Sequence, residues 1–332
     1  SLQLWSPENP KLYAVNISSE TDKIADEIGF RTIETRGREI LLNGQAVFLK
    51  GISIHEEAAF RNGRIFKEEE DLTLLNWAKE LGCNYVRLAH YPHNEPMLRL
   101  AEKMGLMVWS EIPVYWTIQW ENQSVYNNAL NQLDEMMERD QNRANVIIWS
   151  IANETPHGDA RDKFLSSLAV YAREKDNTRL ISMAMERKDK SNVVLSVNDN
   201  MSQYVDIISF NQYLGWYDGT NEKIDRVRWE IDYNKPIIIS EFGGEAVSGL
   251  HGEATQLWTE EYQAELYRKT LRMIDERMPL VSGISPWVLK DFRSSRRLLP
   301  NVQDGFNRKG LVSDRGEKKL SFYVLQEWYK KK

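Results

Sequence analysis

Eight short apolar runs, each separated from the next by a longer stretch and several of those amphipathic, constrain this chain more than any other feature. The runs are 47–54, 84–89, 107–111, 146–152, 180–183, 206–210, 237–241 and 283–288. Helical patterns lie between them at 68–80, 95–104, 125–140, 160–174 and 260–277. Strand–helix alternation repeated eight times is what a closed parallel barrel requires. Strands apolar on both faces suit a parallel sheet covered by helices. An open doubly wound sheet is the structural alternative. However, Gly51-Ile52-Ser53-Ile54-His55 in the first strand is followed by no glycine-rich fingerprint, which argues against a dinucleotide fold. The expected fold is therefore α/β, a (β/α)₈ TIM barrel over residues 37–332. Residues 1–36 read differently: 11–18 and 27–35 alternate as strands, and two strands cannot bury a core alone. They are expected to be the last strands of a β-sandwich whose remainder is absent, which makes the chain the C-terminal part of a longer protein.

Chemistry in such a barrel sits at the C-terminal ends of the strands. Strand 1 ends in His55-Glu56, strand 2 in Arg87-Leu88-Ala89-His90-Tyr91-Pro92, strand 3 in Glu111 and strand 4 in Asn153-Glu154. Strand 6 ends in Asn211-Gln212-Tyr213, strand 7 in Glu241, and strand 8 in Trp287 with Asp291 soon after. Any one of these groups is adequately explained as a helix cap; so many on one rim are not. Glu154 and Glu241 each close a very apolar strand, where an ionised carboxylate is costly unless used or paired. Glycoside hydrolysis needs two such groups, about 5–5.5 Å apart in a retaining enzyme. One must stay protonated near neutrality while the other stays ionised, and Arg87 is a candidate to hold its neighbour ionised.

Several function classes drop out. A net charge of −6 with no broad basic stripe makes nucleic acid an unexpected partner. No run approaches 18 apolar residues, so no membrane-spanning helix is expected. The single cysteine, Cys83, sits in an apolar run and excludes an internal disulfide. The five histidines form no His-x-x-x-His cluster, so neither a metal nor another cofactor is expected. The opening Ser1-Leu2-Gln3-Leu4-Trp5-Ser6-Pro7 is not a signal peptide, and any such signal belongs to the missing N-terminal part. The compartment stays open, cytoplasmic or periplasmic.

From Leu4-Trp5-Ser6-Pro7-Glu8-Asn9-Pro10 to the last helix, the sequence resembles glycoside hydrolase family 2. Arg87…His90-Tyr91-Pro92 and Trp149-Ser150-Ile151-Ala152-Asn153-Glu154 carry the resemblance most specifically, and Leu42-Asn43-Gly44 and Lys50-Gly51 look like the family's first hairpin. Ile28-Gly29-Phe30-Arg31 looks like the join between an immunoglobulin-like sandwich and the barrel. Within the family, Asn211-Gln212-Tyr213-Leu214-Gly215-Trp216-Tyr217, Gly249-Leu250-His251 and Asn307-Arg308-Lys309-Gly310 are similar to β-glucuronidases. The resemblance implies a retaining exo-β-glycosidase acting on terminal β-D-glucuronides through a covalent glycosyl-enzyme. Glu154 is then the acid/base and Glu241 the nucleophile. Asn153 meets the sugar 2-hydroxyl, Arg87 orients Glu241, and Tyr213 touches the nucleophile. His90 and Glu56 hold hydroxyls, Trp287 stacks under the sugar, and Asn211 and Tyr217 complete the wall. Asn307 and Lys309 bind the uronate, an ammonium and an amide being a sound receptor for a carboxylate. Arg296 and Arg297 add to that field, whereas Asp304 brings negative charge towards it. The segment after strand 3 carries no long insertion, which implies an open site admitting bulky or polymeric leaving groups. The expected partners are a carbohydrate substrate and the missing sandwich domains, with homo-oligomerisation left open. A β-galactosidase of the same family and a non-catalytic carbohydrate-binding barrel are the alternatives.

Overall fold

A computed structural model describes residues 2–278 and 280–332. Its centre is a closed parallel barrel of β1 (Leu49–Lys50 and Ser53–His55), β2 (Tyr85–Ala89), β3 (Met107–Glu111), β4 (Val146–Asn153), β5 (Leu180–Met185), β6 (Ile208–Asn211), β7 (Ile237–Glu241) and β8 (Val281–Ile284). The first strand is broken where the sequence suggested one run. Leu49 and Lys50 pair with Gly283 and Ile284 of β8, while Ser53, Ile54 and His55 pair with Arg87, Leu88 and Ala89 of β2. The break lies at Gly51, where a Cβ would come within 2.2 Å of the Tyr85 ring and 2.6 Å of the Ile284 carbonyl oxygen. A side chain there would prevent the two ends of the sheet from meeting.

Among the described residues, seven helices cover the barrel: α1 (Glu68–Leu81), α2 (Glu95–Lys103), α3 (Gln123–Asp140), α4 (Asp159–Lys175), α5 (Asn221–Arg226), α6 (Glu260–Arg277) and α7 (Leu320–Tyr329). The space after β5 is filled by the short 3₁₀ turn Asn200–Gln203. Three starts follow capping chemistry, with side-chain oxygens of Asn94, Asn122 and Thr259 accepting from Met97 N, Ser124 N and Tyr262 N. Inside the barrel the strands are not apolar on both faces. Ser53, Ser110, Ser150, Ser182, Ser209, Ser240 and Ser285 are buried there, with Ser53 bonded to Ser285 and Ser182 to Ser209.

The N-terminal part also departs from the sequence reading. Tyr13–Ser18 pairs antiparallel with Lys23–Ile28, and the expected strand 27–35 is interrupted after Ile28. Gly29 packs so closely on Trp5 and Ala144 that its Cβ would lie 2.8 Å from the Ala144 methyl, and the chain crosses there to the underside of the barrel. Ile33–Arg36, Glu39–Leu42 and Gln45–Ala46 then form a small sheet. Its Ile33, Ile40 and Leu42 join Leu49, Tyr85, Trp109, Ile148 and Ile238 in one apolar cluster that closes that end. Arg31 fastens the crossing by donating to the carbonyls of Ala144, Val146 and Thr178. The opposite end, where the strands terminate, is left free for chemistry.

Candidate active site

At the C-terminal ends of the strands lies a cavity of about 830 Å³, lined among others by His90, Asn153, Glu154, Tyr213, Tyr217, Glu241, Trp287, Asn307 and Lys309. Its floor is organised by Arg87, which is fully buried on β2. The guanidinium donates to Glu241 Oε1 at 2.7 Å, to both oxygens of Glu111 at 3.0 and 3.1 Å, and to Asn153 Oδ1 at 2.9 Å. Burial disfavours this cation, but the charges of Glu111 and Glu241 outweigh burial and raise its pKa. Glu111 is burdened by burial in the same way, yet Arg87 and His90 draw its pKa down to about 2. It also accepts from the indole of Trp109 and lies 2.7 Å from His90 Nδ1.

The two candidate glutamates stand in different surroundings. Glu241 Oε2 accepts from the Tyr213 hydroxyl at 2.5 Å, so each of its oxygens has a donor fixed by the fold. Glu154 accepts only neutral donors, from Asn211 at 3.0 Å and from the exposed indole of Trp116 at 3.1 Å. Burial first, and the charge of Glu241 second, raise its pKa. Its backbone is in the left-handed region at φ 48°, a conformation that costs a non-glycine residue free energy and is concentrated at functional sites. Asn153 Oδ1 accepts from both Arg87 and Asn211, which leaves its amide N–H groups facing the cavity.

A second cluster lies at the side of Tyr217. Lys309 Nζ, almost fully buried, donates to the Tyr217 hydroxyl at 2.7 Å and to Glu245 Oε1 at 3.0 Å. Arg297 donates to the same hydroxyl at 2.5 Å and lies 3.5 Å from Glu245. Asn307 Oδ1 accepts from Lys309 N, so its amide N–H groups are left for the cavity. Two cations thus face one buried carboxylate and leave an excess of positive charge at this end. The arrangement is locked from behind by Lys319, which donates to Ala246 O, Asp291 Oδ1 and Arg308 O at 2.7–2.9 Å while fully buried.

The sequence model for the glycosyl hydrolases family 2 TIM barrel domain matches residues 33–331. The chain belongs to glycosyl hydrolases family 2. It is 30% identical over 99% of its length to the β-glucuronidase of Streptococcus agalactiae, and 30% identical over 98% to that of Rattus norvegicus. Among solved structures it is similar to a family 2 β-galacturonidase from Eisenbergiella tayi bound to galacturonate, with a TM-score of 0.88 at 27% identity over all of this chain. It is also similar to a β-D-glucuronidase of Dictyoglomus thermophilum, with a TM-score of 0.85 at 27% identity over 99%. The chain spans 58% and 52% of those two curated relatives and 60% and 59% of those two structures.

Against this family background, the residues singled out in the sequence fall into three groups. His90, Asn153, Glu154, Tyr213, Tyr217, Glu241, Trp287, Asn307 and Lys309 line the cavity, while Arg87 and Asn211 form the layer beneath it. Trp287 is stacked with His90 at 4.7 Å between centroids, so one face of its ring is already covered. Glu56 does not reach the cavity. It is buried, ion-paired with Arg64, and accepts from the backbone and side-chain amides of Asn94 at the start of α2, which uses up its oxygens. Asp304 is also displaced: it is exposed and accepts from Asn301 N in a turn outside the cavity wall. The negative charge beside Lys309 is Glu245 instead, a residue whose sequence setting, Phe242-Gly243-Gly244-Glu245, gave no hint of burial. Trp116 and its bond to Glu154 were likewise not foreseen. Among the described residues no group of three or more His, Cys, Asp or Glu could hold a metal ion, and no helix is long and apolar enough to cross a membrane.

Proposed function

We propose that this barrel carries the catalytic centre of a retaining exo-β-glycosidase that removes terminal β-D-glucuronate by double displacement. The observation that carries the reading is a single cavity lined by both Glu154 and Glu241 and by Lys309 with Asn307. Glu241, aligned by Arg87 and Tyr213, attacks the anomeric carbon and forms the glycosyl-enzyme. Glu154 gives its proton to the leaving oxygen; burial and the charge of Glu241 favour its protonated form. Once Glu241 is esterified that charge is gone, the pKa of Glu154 falls, and the same carboxylate takes a proton from water. The amide of Asn153 is free for the sugar 2-hydroxyl. The excess positive charge of Lys309 and Arg297 over Glu245 receives the C6 carboxylate. In the intact protein, the hairpin Tyr13–Ser18 and Lys23–Ile28 is the end of an immunoglobulin-like sandwich preceding the barrel, and Ile33–Arg36 already belongs to the barrel.

The similarity to a β-galacturonidase bound to galacturonate favours a second reading, the galacturonide, which presents the same carboxylate with an inverted C4 hydroxyl. The deciding experiment measures kcat/KM of the intact protein on aryl β-D-glucuronide, β-D-galacturonide and β-D-galactoside. The glucuronide is expected to lead. Lys309→Ala is expected to lose at least about 10-fold on it, about 1.4 kcal/mol, with the galactoside unchanged. Equal losses on both sugars would remove the uronate claim. Glu241→Gln is expected to abolish turnover without loss of fold, and a variant that retains wild-type rate would end the double-displacement scheme.

A further inference from the structure

The wall on the Glu154 side of the cavity does not end at the reacting centre. Trp116, which donates to Glu154, and its neighbour Tyr115 are exposed aromatics on the segment between β3 and α3. That segment continues through Ile118, which lines both the catalytic cavity and a second hollow of about 620 Å³. Trp120 lines this second hollow and a third of about 420 Å³, which Tyr126 and Lys163 also line. Four aromatic side chains therefore fall within twelve residues, 115–126, along a path leading outward from the candidate acid. Trp120 and Tyr126 are both held edge-on against Phe164, at 5.3 and 5.2 Å, so their outer faces are fixed rather than free to collapse. Lys163 and Glu121 flank the path, and neither has an ion-pair partner among the described residues.

Contiguous exposed aromatics rimmed by polar groups mark a binding groove more often than isolated ones do. Rigid aromatic faces flanked by unpaired polar groups suit ligands with one apolar face and many hydroxyls. From this continuity we infer that the segment 115–126 is a leaving-group track that binds successive sugar units of a linear glycan, with Trp120 as its specificity-determining platform beyond the unit touching Trp116. The inference rests on the proposed function for the direction of the path, because the acid in a retaining glycosidase faces the leaving group. It narrows the substrate class to glycans of three or more units capped by a uronate.

The test compares three substrates on the intact protein: 4-nitrophenyl β-D-glucuronide, glucose capped by β-D-glucuronate, and cellotetraose capped by β-D-glucuronate. The wild type is expected to favour the tetraose over the capped glucose by about 10-fold in kcat/KM, mostly through KM. Trp120→Ala is expected to erase that preference while changing the other two substrates less than twofold, and Trp120→Phe to keep most of it. No gain with chain length, or an equal loss on all three substrates, would overturn the track. Calorimetric titration of uncapped cellotetraose separates this from failure of the catalytic reading. Binding that Trp120→Ala removes supports the track even if no glucuronide is cleaved, and absence of binding sinks it.

Discussion

At Glu154 opposing effects set the titration. Burial and the charge of Glu241 favour the neutral acid, while hydrogen bonds from Asn211 and Trp116 and the field of His90 favour the anion. On the proposed function the first step needs the protonated form, so the rate is expected to fall as pH rises through this pKa. Trp116→Phe deletes one of the donors that stabilise the anion, so the pKa goes up and the basic limb of the kcat/KM profile moves to higher pH. A limb that stays in place, or moves down, would show that the indole does not govern this proton. The position of Glu241 and Glu154 at the cavity was readable from the sequence because each ends a strand of almost unbroken apolar character. Glu245 was not, since nothing local marks a carboxylate that a Lys far along the chain will neutralise. Glu56 was misread for the same reason: its position at a strand end is shared with Glu154 and Glu241, but its partners, Arg64 and the Asn94 cap, are tertiary.

Among the elements, the helices with the strongest period were legible to within about two residues, and 260–277 coincides with α6. What escaped was the break in β1, because its cause lies in Tyr85 and Ile284 rather than in the run itself. The short α5 escaped as well, six residues being too few to display a period. The seam at Gly51 makes a sharp prediction. Gly51→Ala places a methyl against a ring and a carbonyl, neither of which can retreat without opening the sheet. It is expected to destabilise by about 1–3 kcal/mol, read as a lower denaturant midpoint. Asn94→Ala removes both the α2 cap and a partner of buried Glu56, and is expected to cost about 1–2 kcal/mol in the same measurement. A neutral result for Gly51→Ala would mean that the two sheet ends do not meet as described.

For the molecule as a whole, the buried network of Arg87, Glu111, Glu241 and His90 ties the floor of the candidate site to acid stability. The carboxyl of Glu111 is held at about 2 against an ordinary 4.5. A depressed carboxylate contributes stability that is present in full above its unfolded pKa and is lost as pH falls towards the folded value. Glu111→Gln is therefore expected to lower the melting temperature at neutral pH and to flatten its decline between about pH 4.5 and 2; a parallel decline in both proteins would refute the linkage. Meanwhile Lys319 ties together the carbonyls of Ala246 and Arg308 and the carboxylate of Asp291. On a ribosome, the strands bearing both glutamates emerge well before that lysine does. A nascent barrel can bring Glu154 and Glu241 together early, but the segment carrying Lys309 is fastened from behind only once Lys319 has been made.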